Sequence, residues 1–218
     1  MRTLMTVFLA ASLLATPALA ERTYEYSWSD GNNTILGTFD NCTADVTTTY
    51  NMPLHAGYGL ALTKTTDVAS GYSTAFLGCV WNLRGGDQVS ASFWRYDPTV
   101  GYPRMRLWAH YNNGLQDSDY RGQDLMLNDG LAYGNNSFGA EAGWEQFSYT
   151  WTIPAGHTGL VIDAVVYGDY GAVMYVDELS LTVPDHAYAR VPGTYYDAAG
   201  EATAATPTTW SDVKALFE

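Results

Sequence analysis

Between residues 24 and 183 the chain is written almost entirely in short alternating runs, each closed by Gly, Asn, Asp or Pro. A period of two places successive side chains on opposite faces of an extended strand, and the closing residues are those that turns require. The runs predict strands at 24–28, 35–39, 43–50, 58–63, 73–83, 88–96, 104–111, 145–153, 160–167 and 173–183. Thr, Tyr, Val, Gly and Trp are plentiful while the strong helix formers are sparse. With no crossover helices to support a parallel sheet, the pattern predicts an all-β fold, an antiparallel two-sheet sandwich. The connection from 112 to 143 loses the alternation and reads as a long loop with room for one short strand near Leu125.

The ends read differently. Arg2, the apolar run from Leu4 to Leu14, Pro17 and the small residues Ala18-Leu19-Ala20 have the layout of an export signal over 1–20, cleaved near Ala20. A secreted, periplasmic or extracellular mature chain is therefore expected, with no membrane span. Residues 21–184 form the predicted sandwich domain. Residues 185–218 become Ala/Thr/Pro-rich and read as a linker and short C-terminal tail, closing in an amphipathic WSDVKALF. Such a tail suits attachment to a cell-surface assembly or simply a loosely held terminus. The net charge of −13 opposes binding to nucleic acid or anionic membranes. Cys42 and Cys79, exported through an oxidising compartment, read as a disulfide contributing roughly 3–4 kcal/mol in the chain-entropy model.

Two strands carry chemistry. In 88–96 the alternation puts Ala91 and Phe93 on one face and Trp94 and Tyr96 on the other. In 104–111 it separates Met105, Leu107 and Ala109 from Arg106, Trp108 and His110. With both apolar sets inward, Trp94, Tyr96, Arg106, Trp108 and His110 are expected to share one outward surface. Indole and phenol rings stack on the C–H face of a pyranose, and Arg and His supply directional partners for its hydroxyls. The equal alternative is that these rings only pack.

Several stretches resemble the carbohydrate-binding modules with a galactose-binding-like jelly roll. They are Gly86-Asp87-Gln88-Val89 followed by Phe93-Trp94, Gly143-Trp144-Glu145-Gln146-Phe147 followed by Pro154-Ala155-Gly156, and the closing Tyr175-Val176-Asp177-Glu178-Leu179-Ser180-Leu181. Trp28-Ser29-Asp30-Gly31 stands where that family has an acidic turn. The resemblance spans about 24–183 and implies a jelly roll that binds a glycan or polysaccharide. It also implies a structural calcium, with Asp177 and then Asp30 as the matching ligands, although Ser29 replaces the family's Glu. Asp177 serving only as a hydrogen-bonding residue at a strand end is the competing reading.

Three functions stay open on the sequence. Non-catalytic glycan binding is the first. A jelly-roll glycoside hydrolase needs two suitably spaced carboxyl groups, and no E-x-D-x-x-E strand motif is present. A polysaccharide lyase could draw on Arg106, His110 and Tyr111 with Tyr96, but Tyr111 alternates to the opposite face. A surface adhesion or structural module that binds protein is the third.

Overall fold

The computed structural model describes residues 20–39, 42–49, 57–65, 72–98, 104–115, 124–139, 142–196 and 202–204. The export signal expected at 1–20, apart from Ala20, and the amphipathic segment at 210–217 lie outside the described residues. All ten runs that alternate in the sequence are strands. They are β1 (Glu21–Tyr26), β2 (Gly37–Phe39), β3 (Cys42–Thr47), β4 (Gly59–Lys64), β5 (Tyr72–Trp81), β6 (Gln88–Asp97), β7 (Arg104–Tyr111), β8 (Gly143–Thr152), β9 (Gly159–Tyr167) and β10 (Val173–Pro184). Three short strands follow: β11 (Tyr188–Arg190), β12 (Thr194–Tyr196) and β13 (Ala202–Ala204).

The strands form two antiparallel sheets, and the chain is a β-sandwich. The first sheet runs β3-β4-β10-β6-β8, with β1 paired to the far half of β10. The second runs β11-β5-β9-β7, with β2 paired to the near half of β5. Inward-facing residues of both sheets make one core: Leu60, Leu62, Val89, Phe93, Phe147, Trp151, Val176 and Leu181 from the first, Leu77, Val80, Met105, Leu107, Ile162 and Val166 from the second. Each such side chain stabilises the fold by roughly 1.5–3 kcal/mol relative to exposure, before ordering costs.

Short connections serve as crossovers here. Arg84–Asp87 does turn tightly, with Gly86 at φ 95° and Asp87 Oδ2 accepting the Arg84 amide at 2.7 Å. It joins β5 in the second sheet to β6 in the first, so it is not a hairpin. The chain changes sheet again between β6 and β7. The two strands expected to lie side by side therefore belong to opposite layers.

The outer faces differ in cover. That of the first sheet is more open, with hydroxyl pairs across strands such as Ser90–Thr150 at 2.8 Å and Thr23–Thr182 at 2.9 Å. That of the second carries a smaller apolar cluster of Leu36, Phe76, Cys79, Trp81, Leu115, Leu125 and Val161. Leu125 stands in a 3-10 helix, Asp124–Met126, where a short strand was expected. The following segment runs along the free edge of β7: the Ala109 amide donates to Tyr133 O at 2.9 Å, and the Ala132 amide to Ala109 O at 3.0 Å. That segment covers backbone groups an edge strand would otherwise expose.

Two further expectations are corrected. Cys42 and Cys79 are free, buried thiols. Cys42 belongs to the core between the sheets, whereas Cys79 belongs to the cluster on the other side of the second sheet. A disulfide needs Cβ atoms about 3.8 Å apart, and here a sheet separates them. A bulge between Phe76 and Gly78 in β5 sets the phase that turns Cys79 outward. Burial pushes both thiols up to about 12. The sandwich also extends past Pro184, because β11 pairs with β5 and Ala187, Ala189 and Val191 fill the main core.

Candidate functional site

Each of the five candidate residues stands on an outer face, but on two different sheets. Trp94 and Tyr96 stand on the first sheet; Arg106, Trp108 and His110 stand on the second. No common surface joins them.

On the first sheet, Tyr96 meets Trp144 and Tyr175 edge-on at 5.4 and 6.2 Å. Trp94 lines a separate groove of about 400 Å³ with Glu25, Tyr26, Ser92, Gln146, Glu178 and Ser180. Glu178 enters this groove from an irregularity in β10, where the register shifts between Asp177 and Ser180 and the Glu178 φ is 56°. Inside the same sheet, Arg95 is fully buried, pairs with Asp97 at 3.2 Å and Glu145 at 2.8 Å, and lies over the Phe147 ring.

On the second sheet the loops leave open a cleft of about 100 Å³. Phe39, Met126 and Leu131 form an apolar rim, Trp108 a wall, and His110 and Asp163 line its polar part. Trp108 is half-buried and its orientation is fixed. Its Nε1–H donates to Asn136 Oδ1 at 3.0 Å, and it makes T-shaped pairs with Tyr133 and Tyr167 at centroid distances of 5.3 and 6.3 Å. Tyr133 is held in turn by its own carbonyl, which accepts the Trp151 Nε1–H at 2.8 Å.

His110 and Asp163 face each other across the β7–β9 pair, each about 5% exposed. His110 Nε2 lies 2.8 Å from the Leu125 carbonyl, which can only accept, so this nitrogen carries a proton. Nδ1 lies 2.9 Å from Asp163 Oδ2, and a proton sits between them. Burial pulls the His110 pKa down, but the Asp163 charge and hydrogen bond, the Leu125 carbonyl and the Asp129 charge together raise it. Asp163 is raised by burial, only partly opposed by His110. Its Oδ1 has no hydrogen-bond partner.

Sequence reading did not single out Asp163. The signal was present: it is the one charged residue in Leu160-Val161-Ile162-Asp163-Ala164-Val165-Val166, a strand buried on both faces. A carboxylate there requires a partner, because an unpaired buried charge costs several kcal/mol.

The two expected calcium ligands both accept hydrogen bonds from the chain itself. Asp30 accepts hydrogen bonds from the Tyr26 hydroxyl and from the Asn32 amide and side chain, closing a local turn. Asp177 is buried, and its Oδ1 accepts the Glu178 amide at 2.8 Å. Among the described residues no three His, Cys, Asp or Glu side chains are placed to hold a metal ion.

No family model matches this sequence, and no curated protein does. Solved structures similar to the chain include jelly-roll carbohydrate-binding modules, and also the enzymatically active domain of a tailspike protein of bacteriophage CBA120. One is the CBM22-1 xylan-binding domain of Xyn10C from Paenibacillus barcinonensis, at 16% identity and TM-score 0.47, covering 77% of this chain and 97% of that one. Another is the mannan-recognising module TmCBM27, at 15% identity and TM-score 0.42, covering 75% and 98%. A third is the CBM22-1–GH10 portion of xylanase 10B from Clostridium thermocellum, at 10% identity and TM-score 0.49, of which this chain covers 28%.

Proposed function

We propose that the protein binds a glycan without cleaving it, in the cleft on the outer face of the second sheet. The carrying observation is Trp108, an aromatic ring fixed in place beside a cleft with a polar floor. A platform already ordered in the free protein loses little conformational entropy when a sugar stacks on it. The apolar rim of Phe39, Met126 and Leu131 suits the C–H surfaces of a pyranose. The His110–Asp163 pair supplies the polar side of the recess. The modules similar in fold are named for xylan and mannan, which agrees with a polysaccharide ligand for this chain.

Export remains part of this reading, on the strength of the signal-like first twenty residues. A cation at Asp177, completed by backbone carbonyls and water, is separable from it, because the cleft lies on the other sheet. Attachment to a surface assembly through the tail is likewise independent of the cleft.

The test is affinity electrophoresis and calorimetry of the chain against xylan, mannan and acidic polysaccharides, with calcium and with chelator. Products are analysed in every mixture. Binding without new reducing ends or unsaturated sugars, unchanged by chelator, is the expected result. Cleavage products would transfer the chain to the lyase or glycosidase class. Absence of binding to any glycan would leave a protein-binding or structural role.

A further inference from the structure

Arg106 stands two residues before Trp108 on the same face of β7, roughly 7 Å along the strand. Its guanidinium lies 3.7 Å from the centre of the Phe138 ring, and 5.4 Å from those of Trp108 and Tyr167. The rings hold the group but satisfy none of its N–H donors. Nε is buried without a partner, the Nη groups are not, and no hydrogen bond or ion pair ties Arg106 to another described residue. This is unusual in a chain with 23 acidic and 10 basic residues. Arg22 and Arg95 both hold carboxylates. A guanidinium fixed beside an aromatic platform, with its donors unspent, is arranged to receive an anion from outside the protein.

We propose that Arg106 makes the cleft selective for acidic glycans, by pairing with a carboxylate or sulfate on the sugar next to the one stacked on Trp108. This rests on the glycan-binding reading and names the ligand class within it. A planar anion can take two parallel N–H donors from one guanidinium, a geometry that Lys cannot supply. The overall charge of −13 opposes a polyanion at long range. At physiological ionic strength that repulsion is screened beyond about 8 Å, whereas a contact pair is screened much less.

The test uses the full chain at physiological salt with three probes: a neutral xylo-oligosaccharide, the same oligosaccharide carrying one glucuronate branch, and a sulfated galactan oligosaccharide. The expected result is binding of at least one anionic probe roughly tenfold or more tighter than the neutral one, as a charge-assisted pair supplies. Which anionic probe gains separates carboxylate from sulfate recognition. Arg106→Gln should abolish the preference, and Arg106→Lys should keep only part of it. A thermal melt of each variant checks that the ring cluster survives. Since Arg106→Lys keeps the charge and most of the stem, its partial preference is informative even if Arg106→Gln unfolds. Equal affinity for neutral and charged probes, or a preference that persists in Arg106→Gln, overturns the inference and leaves glycan binding standing. Failure of all three probes to bind overturns the inference, and failure of mannan as well overturns the glycan-binding reading with it.

Discussion

The two outer faces come from the same alternation rule, yet they are built for different things. The outer face of the first sheet is the more open one, with Ser90 paired to Thr150 and Thr23 to Thr182 as hydroxyls, and its groove at Trp94 is bordered by Glu25 and Glu178. On the second sheet most outward residues lie under a second apolar cluster, and what remains open is small and walled. A covered face can hold a Trp ring and a buried ion pair in one geometry, because packing removes the alternatives. A more open face cannot do so to the same degree. The position of the loops, more than the number of aromatic residues, therefore separates a binding site from a solvated sheet.

The sharpest way to break this comparison is to truncate one tryptophan on each face. Trp108→Ala should weaken glycan binding by about 2 kcal/mol, roughly thirtyfold in Kd, as loss of a central aromatic anchor does. Trp94→Ala should leave the affinity within about twofold. Calorimetry on both variants decides it, and the reverse pattern would move the site to the first sheet.

A smaller effect should come from loosening the cover. A Cβ at Gly134 would overlap the Leu107 carbonyl oxygen and crowd Trp108 Cα and Trp151 Cζ2, each 3.1 Å away. Gly134→Ala should therefore lift the segment off β7 at a cost of roughly 1–3 kcal/mol in stability. Binding should fall with it, because Tyr133 no longer braces Trp108. Chemical denaturation alongside calorimetry would show whether the two losses travel together. Stability lost with affinity kept would mean that the brace is dispensable.

The His110–Asp163 pair sharpens the comparison through pH, since the first sheet has no counterpart among its outward residues. The native state raises the His110 pKa above its ordinary 6.5, so the stabilisation it gives is full below that pH and disappears as pH rises through the raised value. The raised Asp163 pKa acts in the same direction, costing stability as pH climbs from its ordinary 3.8 through the native value. The melting temperature should accordingly be lower at about pH 9 than at about pH 6. In Asp163→Asn that difference should shrink. An unchanged difference in the variant would place the titration elsewhere.

These tests also mark what could be read in the sequence. Strand existence was legible, because a period of two survives any arrangement of sheets, and so was the outward direction of Trp94, Tyr96, Arg106, Trp108 and His110. Sheet membership was not. Arg84–Asp87 has the residues of a tight turn whether it joins neighbours or crosses between layers, and that choice split the expected surface in two. The bulge at Phe76–Gly78 was equally silent, although it decides which way Cys79 points. β11 was missed because three residues are too few to show a period. Asp163 was the opposite case, a signal in plain view whose partner lay on another strand.

The smallest expected effect is none at all, and it bears on how the two layers are held. A Cys42–Cys79 bond would staple the edge strand β3 to the centre of the second sheet, and reduction would then release a few kcal/mol of stability. The structure instead puts one thiol on each side of β5, each burying its sulfur where a thiolate is strongly disfavoured and the pKa is about 12. Reductant should leave the melting temperature unchanged. A thiol reagent should find neither cysteine in the folded protein and both after denaturation. A drop in melting temperature on reduction, with no thiols released by denaturation alone, would instead mean that β5 has turned Cys79 inward. That change of phase would carry Trp81 with it and dismantle the cluster that sets the second face apart from the first.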